Sequence, residues 1–369
     1  MKKEKNCRLG RVGGQAVIEG VMMKSSKHVG IAVRMSDGSI KVEDNDYTAA
    51  KEKHKAFGFP FIRGIVNFIE MMKLSFSTID RATRMLGIED EDESRFEKWL
   101  KKKFGKSIMD VIMPISVILG IALAIGLFIY LPILVTKGIS AVIVAFGGSE
   151  LGDIPKTVIE GVAKVIIFLA YLSLVSLIKD IKTTFMYHGA EHKSVFCYEN
   201  GLELNVENVK KQKRFHPRCG TSFLFVMIAV SIIVMILLSL LFDHLLSFSL
   251  WENRLIRVLI KLAALPLIVG LGYEFLFVAG RHPDNLIVKI LSAPGLWIQR
   301  ITTREPDDRQ MEVAIAALKA ALPEEFPKPE PVSDTDAAAP GSEPAQEDSA
   351  GEPETSDGET AAEKKDDAE

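Results

Sequence analysis

Two short motifs carry the residue types able to do chemistry: His188-Gly-Ala-Glu191-His192 and His216-Pro-Arg-Cys219. On a helix, His188 and His192 stand one turn apart with Glu191 on the same side. Two imidazoles at that spacing can chelate one metal ion, and the carboxylate beside them can hold or deprotonate its water, the logic of the inverted zincin motif. His216 and Cys219 add an imidazole and a thiol, donors that suit zinc among divalent metals. Four protein ligands would make a closed structural site. Three ligands and a water, with Glu191 as base, would make a hydrolytic one. At this composition an H-x-x-E-H match arises by chance in roughly one chain in a hundred, so the neighbouring H-x-x-C matters. The plain alternative is a set of solvated histidines on a basic loop.

Three accessory candidates follow. Glu199 lies two turns beyond His192 and can serve as a further ligand or hold one in place. Glu274 falls in an apolar stretch, where a carboxylate points to function; transport through it is one reading, pairing with Arg281 or Lys289 the other. His282, in Gly280-Arg281-His282-Pro283, can approach the same surface or remain a loop residue. Isolated His28, His54 and His244 suggest no site, and the chain has no serine-triad arrangement, phosphate-cradling glycine loop or dinucleotide fingerprint.

The elements that would position these groups are membrane helices. Hydrophobic residues make up 48% of the 369, and four apolar stretches, about 111–135, 157–178, 221–242 and 255–279, reach or approach the length of a span. Lysine and arginine number six over residues 95–106, just ahead of the first stretch, then two, eight and one in the three connections and four over residues 281–304 after the last stretch. That alternation places both termini and the His/Cys loop on the cytoplasmic side. The three cysteines then sit in a reducing compartment, so Cys219 reads as a thiol or ligand rather than half of a disulfide. No apolar run follows the basic N-terminus, so no signal peptide is expected. Lys164 and Lys261, near span ends, are expected to snorkel.

From Glu324 onward the charge is −13, and the preceding 323 residues carry +10. A basic body beside four apolar stretches points to anionic lipid as partner, with a membrane or cytoplasmic protein as a further one, and away from nucleic acid. Alternation of Ile31, Val33 and Met35, the Ser36-Asp37-Gly38 turn, then Ile40 and Val42 predict a hairpin over 29–43. Residues 59–80 predict an amphipathic helix with Phe61, Ile65, Phe68, Ile69, Met72, Phe76 and Ile79 on one stripe, lying in the interface or packed on the bundle. An acidic linker (Glu89 to Glu93) and a capping box, Ser94 to Glu97, lead into the first span. The second span, free of proline and glycine from Val162 to Tyr187, is expected to run on through His192 and stop at Asn200-Gly201. A soluble helix with Met311, Ile315, Leu318 and Leu322 on one face precedes an aperiodic, disordered tail.

The fold class expected is therefore mainly α: a polytopic protein of about four transmembrane helices, a small N-terminal β-hairpin unit and cytoplasmic amphipathic helices. Its divisions are 1–57 (β-containing), 58–106 (amphipathic helices and linker), 107–300 (spans, with the His/Cys loop 179–220), 301–323 (helix) and 324–369 (tail).

The stretches GGQAVIEGVMM (13–23), YHGAEHKSVFCYENG (187–201), RFHPRCGTSF (214–223), GRHPDN (280–285) and SAPGLWIQRITTREPDD (292–308) resemble the YqhQ family of bacterial membrane proteins over residues 8–322. That resemblance implies a bacterial cytoplasmic-membrane location and a metal-dependent enzyme, and it supports His188, Glu191, His192, His216 and Cys219 as the residues to test. It implies no substrate. Three readings stay open: a zinc-dependent hydrolase acting on a peptide or lipid, a non-enzymatic scaffold or assembly factor with a structural metal, and a transporter using Glu274.

Overall fold

Gly30 and Ala32 alternate with Val29, Ile31 and Val33 along one strand, and the alternation builds the soluble part of the molecule. The computed structural model describes residues 8–53, 55–87, 108–246, 253–281 and 285–327. The 89–97 linker and capping box, His282 and the tail from 328 lie outside the described residues. Strands β1 (Gly13–Val17), β2 (Gly20–Lys24), β3 (His28–Arg34) and β4 (Ile40–Asp46) form an antiparallel meander in the order β1-β2-β3-β4. The expected hairpin is present as β3 and β4. The stretch before it, whose sequence shows no readable period, supplies β1 and β2.

Both faces of the sheet are covered, which hides that period. Val17, Met22, Val29, Ile31 and Val33 pack with Ala82 and Met85 of an amphipathic helix, α2 (Ile62–Met85), which follows the short α1 (Ala50–Lys53). Val21, Met23 and Ala32 face the other way, into a core with Tyr187, Ala190, Cys197, Met311, Ala314 and Leu318. Here Gly30 permits close approach: a Cβ on it would come within 2.4 Å of the Ala317 carbonyl oxygen. The glycine thus seats the C-terminal helix against the sheet.

The membrane part consists of α3 (Ile108–Ile125) and α4 (Leu131–Ala145), joined by a π turn over Gly126–Tyr130, then α5 (Asp153–Val175). The helix α6 (Lys179–Glu199) and a short α7 (Val206–Lys210) precede two long helices, α8 (Gly220–Leu246) and α9 (Arg254–Arg281). The amphipathic α10 (Leu286–Thr302) and α11 (Asp308–Ala320) close the fold. Among the described residues, four segments are long and apolar enough to cross a bilayer: Pro114–Ala145, Asp153–Val175, Leu224–Phe242 and Leu255–Val278. The first has 32 residues, about 48 Å of helix, and outruns the expected span because the π turn keeps it helical past residue 135.

Two departures bear on the site. The second span does not continue through the histidines. It stops at Val175, residues 176–178 turn, and α6 begins afresh at Lys179. The Leu177 and Ile178 side chains are exposed there, so the break redirects the chain where the apolar segment ends. The C-terminus of α6 is as expected, with Gly201 at φ 70°. The second departure is Lys261, which does not snorkel. Its ammonium and Arg257 Nη2, the latter at 2.7 Å, donate to Glu160 of α5, and all three side chains are buried. This cluster pins α5 to α9 in the apolar part of the fold.

Removing the shared acceptor leaves two buried cations facing each other. Glu160→Gln is expected to lower stability by about 3–5 kcal/mol. A thermal melt of the detergent-purified protein, read against Glu150→Gln on an exposed carboxylate, measures it.

Candidate functional site

His188 and His192 are carried by α6 where it packs tightest. A Cβ on Gly189 would approach the Arg304 carbonyl oxygen to 2.1 Å, so only glycine lets the 302–306 segment lie against this turn. Arg304 N–H donates to the Phe185 carbonyl at 2.8 Å, and Lys193 binds both the Lys210 carbonyl (3.0 Å) and Glu305. His188 Nδ1 thereby meets the Thr302 carbonyl at 2.8 Å, and His192 Nδ1 meets the Arg214 carbonyl. A carbonyl only accepts, so each Nδ1 carries a proton, and in the neutral ring that tautomer leaves the lone pair on Nε2.

Those lone pairs have a common neighbour. His188 Nε2 is 3.2 Å from Cys219 Sγ, and ligand atoms of His188, His192 and Cys219 lie within 4.8 Å of one another. Zinc bond lengths of about 2.0 and 2.3 Å in a tetrahedron would hold N and S about 3.5 Å apart. The trio therefore has the donors and the spacing to hold such an ion. Cys219 begins the approach to α8, and Thr221 Oγ1 lies 3.2 Å from its sulfur.

Glu191 stands beside this group, its Oε2 3.5 Å from His192 Nε2 and 3.9 Å from His188 Nε2. Burial pushes its carboxyl above the usual range, against the pull of His188, His216 and the Gly14 N–H. The β-unit is what covers it. A Cβ on Gly14 would fall 2.6 Å from Glu191 Cγ, so the strand edge touches the carboxylate arm.

His216 is in the same cavity but outside the trio. Its ring centre is 5.6 Å from that of His192; Nδ1 accepts from Arg218 N–H at 3.3 Å, and Nε2 faces Glu199 Oε2 at 3.5 Å. Its backbone is clamped by Gln299, which accepts from His216 N–H and donates to its carbonyl, each at 2.8 Å. Glu199 also accepts from Arg218 and from Gly10 N–H at 2.8 Å. Burial resists its ionisation, but the His216 ring, the Gly10 N–H and Arg218 outweigh it and hold the carboxyl below the usual range. Glu199 thus organises the wall beside the centre.

Glu274 is elsewhere. It takes both arms of Arg63 and the Phe61 N–H, and so docks α2 onto α9. Cys197 is a buried core thiol that donates to the Glu203 carbonyl. The trio, Glu191 and His216 line one cavity of about 590 Å³, together with Arg11, Lys24 and Arg218.

Sequence reasoning passes over Gly14, Gly189, Gln299 and Thr302. The two glycines stand inside quoted motifs, but their signal is backbone proximity, which one sequence does not display. Thr302 acts through its carbonyl and leaves no side-chain signature. Gly13 and Gly14 make a direct test, because a Cβ on Gly13 meets nothing within 4 Å. Gly13→Ala should be tolerated, whereas Gly14→Ala should displace Glu191 or the strand at a cost of about 1–3 kcal/mol, seen as a lowered melting temperature.

Comparison with known proteins gives the chain its place. Residues 59–324 match the family described as "Protein of unknown function (DUF1385)". The chain is 32% identical over 315 residues to "Uncharacterized protein YqhQ" of Bacillus subtilis (strain 168), covering 84% of this chain and 92% of that protein. No solved structure matches. On the extent of both matches, and in line with the resemblance carried by its motifs, this chain belongs to the YqhQ-like DUF1385 family.

Proposed function

We propose that the chain is a membrane-anchored, zinc-dependent hydrolase, with His188, His192 and Cys219 as metal ligands and Glu191 as the general base. The observation that carries this reading is the convergence of the three donor side chains with both Nδ1 atoms committed to backbone carbonyls. Metal-binding histidines are held in this manner, the second nitrogen tied to a carbonyl so that the first points at the ion. When bound, zinc would supply Lewis acidity at the substrate and water beside it.

The protein's own groups do the remainder. Glu191, buried and close to both Nε2 atoms, is positioned to take one proton from an attacking water. The water oxygen bonds to the carbonyl carbon or phosphorus of an ester or amide, and the proton on Glu191 passes to the departing group. His216, held between Arg218 N–H and Glu199, stands near enough to meet the reacting centre from the side. The excess of lysine and arginine in the 179–220 loop supports a cytoplasmic location for this face.

A second reading rests on the same carboxylate. Glu191 as a fourth ligand would close the shell, and the metal would then clip α6 to the start of α8 as a structural element of a scaffold. One substitution separates the two. In the hydrolase, Glu191→Gln should leave about one zinc per chain by elemental analysis and cut turnover by roughly 10²–10⁴-fold. In the scaffold, the same change should lower zinc content. His188→Ala and Cys219→Ser should lose the metal in either case, and full metal retention in both variants would refute the site.

A further inference from the structure

The cavity at the His/Cys centre has walls of two kinds. Arg11, Lys24 and Arg218 bring three cationic side chains to it, and among its described lining residues Glu191 is the single carboxylate. Val12, Met22 and Met71 add apolar surface. The guanidinium groups are held in place: Arg218 on Glu199, and Arg11 on Glu325 at 3.0 Å. Each uses only part of its five donors in that pairing. Lys24 lies over the Tyr47 ring, its ammonium 4.1 Å from the ring centre. Fixed guanidinium and ammonium groups around one space suit an anion with several oxygens, and a phosphate ester fits best.

The apolar wall leads toward the membrane. Met71 belongs to α2, whose outward residues Phe68, Ile69, Met72 and Phe76 are exposed by 40–49%. The N-terminal part of α2 is seated on the span α9, where a Cβ on Gly64 would meet Gly270 Cα at 3.1 Å, and Arg63 binds Glu274. On the other side of the cavity, Cys219 precedes the apolar segment beginning at Leu224 by five residues, about 7.5 Å of helix. The centre therefore stands at the foot of a span with an exposed apolar face alongside it. An extended peptide would instead add to the free edge of β1. That edge already meets α6, with Glu191 against Gly14.

We propose that the ligand of this cavity is a phosphate-bearing lipid of the adjoining leaflet, its phosphate held by Arg11, Lys24 and Arg218 and its chains lying along α2. As a substrate class this rests on the hydrolase reading; as a binding site it stands without it.

The test uses full-length, detergent-purified protein carrying Glu191→Gln, so that binding is read without turnover. Titrations compare dioctanoyl phosphatidate with dioctanoylglycerol, which lacks the phosphate, and with glycerol 3-phosphate, which lacks the chains. Phosphatidate should bind at least about tenfold more tightly than either. Arg11→Gln and Lys24→Gln, each added singly, should weaken phosphatidate by about tenfold and leave dioctanoylglycerol unchanged. Equal binding of dioctanoylglycerol overturns the phosphate site. Equal binding of glycerol 3-phosphate assigns the cavity to a soluble phosphate and overturns the lipid. Should a variant fail to fold, the three-ligand comparison decides alone. Phosphatidate binding by a protein that hydrolyses nothing would sink the hydrolase and keep this ligand. Cleavage of a peptide with no affinity for phosphatidate would do the reverse.

Discussion

The centre depends on two protons held in place by backbone. His188 and His192 each give Nδ1–H to a carbonyl outside their own helix, Thr302 for the first and Arg214 for the second. Without those acceptors the neutral rings would choose tautomers by solvation, and the lone pairs would not face Cys219 together. Thr302 lies at the end of α10 and Arg214 in the loop before α8, so the geometry at α6 exists only after both segments have packed. A local motif of five residues is thus oriented by contacts spanning 22 and 114 positions.

Small residues permit that packing. At Gly189, α6 admits the 302–306 segment close enough for its carbonyl to reach His188; at Gly14, the sheet edge closes over Glu191; at Gly30, α11 settles on the far part of the sheet. Each contact brings backbone against backbone or against a site side chain, where one methyl group would force a shift. The β-unit is therefore the lid of the centre. It covers Glu191, whose carboxyl burial raises above the usual range.

How much of this the sequence displays follows from what kind of signal each feature leaves. The four apolar segments are legible because burial in lipid needs an unbroken apolar length, and β3–β4 because alternation and a glycine turn mark them. The site histidines and Cys219 are legible as residue types at ligand spacing. The break at 176–178 is not, since Ser176-Leu177-Ile178 contains neither proline nor glycine and the turn arises from where the membrane segment ends. Nor are β1 and β2 readable: buried on two faces, Gly-Val-Met-Met-Lys has no period to read. Glu160 is a carboxylate whose partners lie about a hundred residues away, so the lysine on the later helix reads as a snorkelling end when it belongs to a buried cluster of three.

The disposition of charge along the bundle favours the proposed hydrolase over the transport reading. Glu160 and Glu274 are carboxylates within two of the apolar segments, and each is engaged in holding helices together, Glu160 with Arg257 and Lys261, Glu274 with Arg63. An ion or proton moving through the bundle would need one of them to give up a partner and leave a cation in an apolar setting, which is costly. The donors on α6 and just before α8 differ in kind. His188, His192 and Cys219 bring ligand atoms within 4.8 Å of one another, beside a carboxyl that burial raises above the usual range. Groups arranged in this way gain by sharing an electrophile, and the cavity that exposes them lies where the apolar segments give way to the basic loop. The apolar segments thus build a platform held by buried ion pairs, and the His/Cys group stands on α6 and at the start of α8 beside it.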